Sequence, residues 1–252
     1  MDFAGKVAVV LGGNAGIGLA AARLLAAAGA RVAITGRDRA SLDAVAAETG
    51  ALALACDMAD IAASTAAFAR IAGELGPIDA LFVNAGVGGF SAIADLTEAF
   101  WDQVHSVNLK GAVFATRAAL PHMADGGAIV MTGSIGSVMG LPGNVAYAAA
   151  KAGLRAAVRV FAAELLPRRI RVNMVSPGPT ETEIFKRGAP EVEVAALRAM
   201  MSQAVPMKRM GEAEEVARAA LFLLGPDASF INAADLFVDG GSIELMAARQ
   251  AG

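Results

Sequence analysis

The chain has 252 residues, a net charge of −3, two histidines and a single cysteine. That length suits one large α/β domain spanning residues 1–252, and the lone Cys56 excludes an internal disulfide and fits a reducing cytoplasm. His105, His122 and Cys56 offer no zinc cluster, the mild charge without a basic stripe argues against nucleic acid, and no apolar run reaches the roughly 18 residues of a membrane span.

The N-terminus lacks the basic start and apolar stretch of a signal peptide and enters a strand-like run at residues 6–11. This run meets Gly12-Gly13-Asn14-Ala15-Gly16-Ile17-Gly18, and residues 19–28 then read as a helix stopped by Gly29. Strand, glycine turn and helix form the context a dinucleotide fingerprint requires. Glycines let the backbone approach a pyrophosphate, and the helix N-terminus supplies free N–H groups.

Residues 31–35 form the second strand, which ends at Gly36-Arg37-Asp38-Arg39. An NAD site usually places an acid here for the ribose 2′-hydroxyl. Gly36 stands in its place, with Arg37 next, so a 2′-phosphate and hence NADP(H) is favoured, NAD(H) remaining an alternative. In the competing reading Arg37 and Arg39 merely begin a solvated helix. A third strand at residues 51–55 leads to Asp57 and Met58; Asp57 either accepts from the adenine amino group or caps the next helix, residues 61–75.

The alternation continues. A fourth strand at residues 80–83 runs into Asn84-Ala85-Gly86, and a helix through Trp101 carries Asn108. Strand five, residues 127–132, precedes Ser134. Tyr147 and Lys151 follow at a spacing that puts both on one helical face, a plausible proton-transferring pair because an ammonium group favours the phenolate. Strand six spans residues 170–175 before Pro177-Gly178, and residues 234–238 form the last strand. Strands alternating with helices predict a doubly wound parallel sheet.

In this order the motifs resemble the short-chain dehydrogenase/reductase family over residues 4–243. Gly12, Gly16 and Gly18 match its glycine turn, Asn84-Ala85-Gly86 its Asn-Ala-Gly, and Asn108, Ser134, Tyr147 and Lys151 its four catalytic positions. Pro177, Gly178, Thr180 and Thr182 resemble the segment that receives the nicotinamide carboxamide. The resemblance implies a seven-stranded Rossmann sheet and hydride transfer between a nicotinamide cofactor and a carbonyl or alcohol. Tyr147 would exchange the proton, Ser134 orient the oxygen, Lys151 stabilise the phenolate and bond the nicotinamide ribose, and Asn108 hold a water in a proton relay. Asn108 also has a local reading, as a helix-interior asparagine bonding backbone. Leu11 departs from the family's threonine, Ala15 from a second basic residue of many NADP users, and Gly133 from a frequent serine.

Substrate contacts are expected from Ser134, Tyr147, Met139 and Phe185, with Phe90 and a lid-like segment at 184–207 containing Met200 and Met201. Lys186 and Arg187 lie at its start and either meet an acidic group or are solvated. The expected substrate is a small hydrophobic ketone or secondary alcohol, and the expected assembly a homotetramer or homodimer through the Tyr147 helix. A 3-oxoacyl-[acyl-carrier-protein] reductase is the first alternative, although the segment before strand five lacks a basic run and only Arg168 and Arg169 could replace it. A nucleotide-binding regulator without turnover is the second.

Overall fold

The protein is described by a computed structural model covering residues 2–181 and 191–245. The first half comprises β1 (Val7–Leu11), α1 (Gly16–Ala27), β2 (Arg31–Gly36), α2 (Arg39–Thr49), β3 (Leu52–Ala55), α3 (Ile61–Leu75) and β4 (Ile78–Val83). The second comprises α4 (Glu98–His105), α5 (Ala112–Ala119), β5 (Met123–Thr132), α6 (Val145–Glu164), β6 (Arg171–Pro177), β7 (Thr180–Glu181), α7 (Glu191–Ala204), β8 (Gly211–Glu212), α8 (Ala213–Leu224) and β9 (Asp235–Val238). Seven strands form one sheet in the order β3-β2-β1-β4-β5-β6-β9, and all its pairings are parallel. This is the expected doubly wound Rossmann sheet.

A strand directs alternate side chains to opposite faces. In β1, Val7, Val9 and Leu11 enter the layer containing Phe68 and Ile71 of α3, Ala115 of α5 and Leu154 of α6. Ala8 and Val10 enter the opposite layer with Ala21 and Leu25 of α1, Leu42 of α2 and Leu221 of α8. Both faces are covered, which is why the strands read as unbroken apolar runs. Much of the alanine lies where helices meet the sheet.

The strand order reverses between β1 and β4, and the carboxyl ends of these strands open the crevice where ligands bind in such sheets. Several elements start earlier than expected. Helix α1 begins at Gly16 rather than residue 19, because close packing under the glycine turn overrides the poor helix propensity of glycine. Strand β5 extends back to Met123. Between α4 and α5 the helix widens into a π-helical turn, Ser106–Gly111, a local form frequent at functional sites. Gly111 permits it, since a Cβ there would lie 2.7 Å from Met58 O and 2.9 Å from Ser106 O. Helix α7 falls within the expected 184–207 lid, while Thr182, Phe185, Lys186 and Arg187 lie outside the described residues. No helix among the described residues is long and apolar enough to cross a membrane.

Candidate active site

At the head of the crevice, the glycine turn is packed too closely for side chains. A Cβ on Gly12 would stand 2.8 Å from Ala85 Cα, and one on Gly18 would stand 2.0 Å from Gly12 O. Ala15, at the N-cap of α1, has no side chain able to cap the helix, so its first-turn N–H groups remain for an anion. Both features fit the pyrophosphate of a dinucleotide. Leu11 cannot tie this turn to the sheet by a hydroxyl, and other residues do so. Asn84 Nδ2 donates to Gly12 O (3.3 Å), and Thr132 Oγ1 donates to Asn84 Oδ1 (3.1 Å). Thr132 escaped the sequence reading; its signal was a hydroxyl within an otherwise apolar strand.

Beside this turn, β2 ends at Gly36, where a Cβ would lie 2.5 Å from Asn14 Oδ1. Asn14 is held there by a 2.8 Å bond from Nδ2 to Ser41 Oγ, so an acidic side chain at position 36 would have to displace the Asn14 amide. Arg37 is exposed and lines the crevice, as does Asp38, whose carboxylate also caps α2 by accepting from Ser41 N. Arg39 begins α2 and pairs with Asp43 on its solvated surface. Asp57 Oδ1 accepts from Ala59 N in a tight turn, while Asp60 caps α3; Asp57 and the buried Met58 both border the crevice.

The far end is built by α6 and the tip of β5. Lys151 is 3% exposed; its Nζ donates to Thr132 O at 2.7 Å and stands 5.6 Å from the Tyr147 ring centre. Ser134 Oγ accepts from Gly136 N at 3.0 Å. Asn108 is fully buried in the π-helical turn. Its Nδ2 donates to Val87 O (2.8 Å) and Val104 O (3.1 Å), and its Oδ1 accepts from Val87 N (3.1 Å). Both amide N–H groups are thus spent on backbone, which clamps the loop after Asn84-Ala85-Gly86. The water of the proton relay that the family resemblance implies at Asn108 would have to be held by an atom other than this Nδ2. The wide turn brings the amide to that loop.

Electrostatics also differ from the simple pairing expected of Tyr147 and Lys151. Burial pushes the Tyr147 phenol above its ordinary value, and the Ser134 hydroxyl offsets part of that rise. Burial also lowers the Lys151 ammonium from 10.5 to about 8. Desolvation penalises both charged forms, so without a cofactor the phenol stays neutral rather than being drawn toward the phenolate by lysine. A neutral phenol is the form that donates a proton to a carbonyl oxygen.

These groups line one continuous crevice of about 750 Å³. Gly12, Asn14, Gly16, Ile17 and Arg37 border one end, Asp57 and Met58 its side, and Asn84, Ala85 and Gly86 its middle. Asn108, Ser134, Tyr147, Lys151, Pro177, Gly178 and Thr180 surround the other end. Gly18 lies behind the turn, buried rather than lining it. Met139 is not among the lining residues; Leu141 is, with Phe90, Val87 and Met201, whereas Met200 is exposed. Asn144 also lines the crevice and was not singled out from sequence. Among the described residues no cluster could hold a metal ion.

A glycine cradle joined to a Ser-Tyr-Lys end defines a nucleotide-dependent oxidoreductase. Residues 12–242 match the family model described as enoyl-(acyl carrier protein) reductase. The chain belongs to the short-chain dehydrogenase/reductase family. It is 37% identical to D-threitol dehydrogenase of Mycolicibacterium smegmatis, covering 94% of this chain and 92% of that one. It is 35% identical to the 3-oxoacyl-[acyl-carrier-protein] reductase MabA of Mycobacterium avium, over 95% of this chain and 90% of that one. Among solved structures it is similar to levodione reductase, with a TM-score of 0.89, 34% identity and coverage of 95% and 98%. The protein is an oxidoreductase interconverting a carbonyl and an alcohol.

Proposed function

We propose that the protein is an NADP(H)-preferring reductase of a small, largely apolar ketone, acting in reverse as a secondary-alcohol dehydrogenase. The observation that carries this reading is the meeting of Ser134, Tyr147 and Lys151 at one end of a crevice whose other end is a glycine cradle. The nicotinamide cofactor supplies the hydride. Tyr147 donates its phenolic proton to the substrate oxygen as negative charge develops there, and Ser134 orients that oxygen. Lys151, fixed by Thr132 O, stabilises the resulting phenolate and would hold the nicotinamide ribose of the cofactor. Asn108 holds the Val87 loop in place. Met58 and Asp57 would meet the adenine of the cofactor, and Pro177, Gly178 and Thr180 its carboxamide.

The crowding of Gly36 by Asn14 and the position of Arg37 support the 2′-phosphate preference. Phe90, Leu141 and Met201 support an apolar substrate, with α7 as a lid in a single domain. A small-molecule substrate, a cytoplasmic location and a homotetramer or homodimer packed through α6 complete the reading; the 57% exposure of Val160 on α6 supports such an assembly, and light scattering tests it.

The carrier-protein reductase is the second reading, favoured by the matching family model and the MabA relative. Against it, Arg168 is occupied within the fold, donating to Asp125 Oδ1, Leu120 O and Met123 O. Following reduced-nicotinamide absorbance over ketones, sugars and acyl thioesters separates the two. Turnover confined to carrier-linked thioesters would overturn the small-ketone reading. Tyr147→Phe should lower turnover roughly 10²–10⁴-fold with nucleotide binding nearly intact, and a variant retaining most activity would refute the proton-donor assignment.

A further inference from the structure

Asn144 immediately precedes α6, where an asparagine side chain ordinarily accepts from an N–H of the first helical turn. It makes no such cap. Its backbone is engaged, with its N–H on Leu141 O and its carbonyl accepting from Ala148 N. Its side-chain amide has no hydrogen-bond partner among the described residues, although Asn144 is only 7% exposed and lines the crevice. An amide offers two donors and an acceptor, and neither polar atom of this one is fully enclosed by protein. An amide left without a protein partner in a residue that lines the crevice is available to a ligand there.

The surroundings define what the amide faces. A Cβ on Gly136 would stand 3.2 Å from Asn144 Nδ2, 3.3 Å from Ser134 Oγ and 3.9 Å from Tyr147 Cδ1. Amide, hydroxyl and phenol ring therefore lie close together around Gly136, where a side chain would be crowded. A reacting oxygen held by Ser134 and Tyr147 lies next to the amide, which can turn to present either its donor or its acceptor.

We propose that Asn144 is a specificity-determining residue that hydrogen-bonds a second substrate oxygen on the carbon beside the reacting one. The substrate class is then α-hydroxy ketones, vicinal diketones and vicinal diols, with the carbon skeleton against Phe90, Leu141 and Met201. The inference rests on the carbonyl–alcohol reading given above. One amide serves both oxidation states, accepting from a hydroxyl or donating to a carbonyl. A simple ketone leaves the amide unpaired.

The test compares kcat/KM for acetoin and butane-2,3-dione with that for 2-butanone, in the wild type and in Asn144→Leu and Asn144→Gln. The wild type should favour the dioxygenated substrates roughly 10–100-fold. Asn144→Leu should collapse that ratio toward one, and Asn144→Gln, which keeps the amide, should retain part of it. Circular dichroism checks folding; should Asn144→Leu not fold, Asn144→Ser takes its place in the comparison. A wild type without the preference, or an Asn144→Leu variant that loses equally on both substrate types, would overturn the inference while leaving ketone reduction standing. Failure of the wild type to turn over any carbonyl would overturn both.

Discussion

Lys151→Met isolates the cost of burying the site's ammonium group. The methionine chain is similar in length and apolar, so it fills the same channel without a charge. In the folded protein desolvation lowers the lysine to about 8 from 10.5. Between these values the unfolded chain carries a proton that the folded protein lacks, so stability rises with pH through this window. The contribution is complete above 10.5 and is lost as pH falls through 8. At about 1.4 kcal/mol per unit, the whole change is about 3 kcal/mol, most of it reached by pH 10. The lost bond to Thr132 O shifts the variant's stability without comparable pH dependence, and Tyr147 is common to both proteins. Urea denaturation followed by circular dichroism at pH 7, 8, 9 and 10, without nucleotide, should show the wild type gaining on the variant throughout. Parallel stability curves would refute the desolvation argument.

Replacing Arg37 with alanine should raise the Michaelis constant for NADPH roughly tenfold or more, and that for NADH much less; equal changes would contradict the 2′-phosphate assignment. Gly18→Ala places a Cβ 2.0 Å from Gly12 O and should cost about 1–3 kcal/mol while weakening nucleotide binding, measured by denaturation and fluorescence titration. By contrast, Gly73→Ala in exposed α3 has nothing within 4 Å and should stabilise the fold by about 0.5–1 kcal/mol in the same denaturation assay. Stability changes of similar sign and size at the two positions would show that the glycine turn is not closely packed.

The sheet was legible because its central strands are buried on both faces and therefore read as short apolar runs between glycine turns and helices. Gly12, Gly16 and Gly18 were legible as a group for a related reason: their spacing meets a local backbone requirement. Tyr147 and Lys151 could be placed on one face from helical periodicity alone. Boundaries were less certain where close packing overrides intrinsic preference, as at the glycine-rich start of α1.

Other properties depend on partners distant in the chain. Thr132 matters through Asn84, 48 residues away, and Asn108 through the Val87 backbone, 21 residues away. No local pattern distinguishes an Asn144 that caps α6 from one that leaves its amide facing the crevice. Sequence by itself determined the strand–helix alternation, the glycine turn and the Tyr147–Lys151 spacing, because each follows from local backbone geometry or periodicity. Tertiary structure alone decided which amides are spent, how deeply Lys151 is buried and which side chains line the crevice, because desolvation and hydrogen-bond pairing are set by neighbours that only the folded chain brings together.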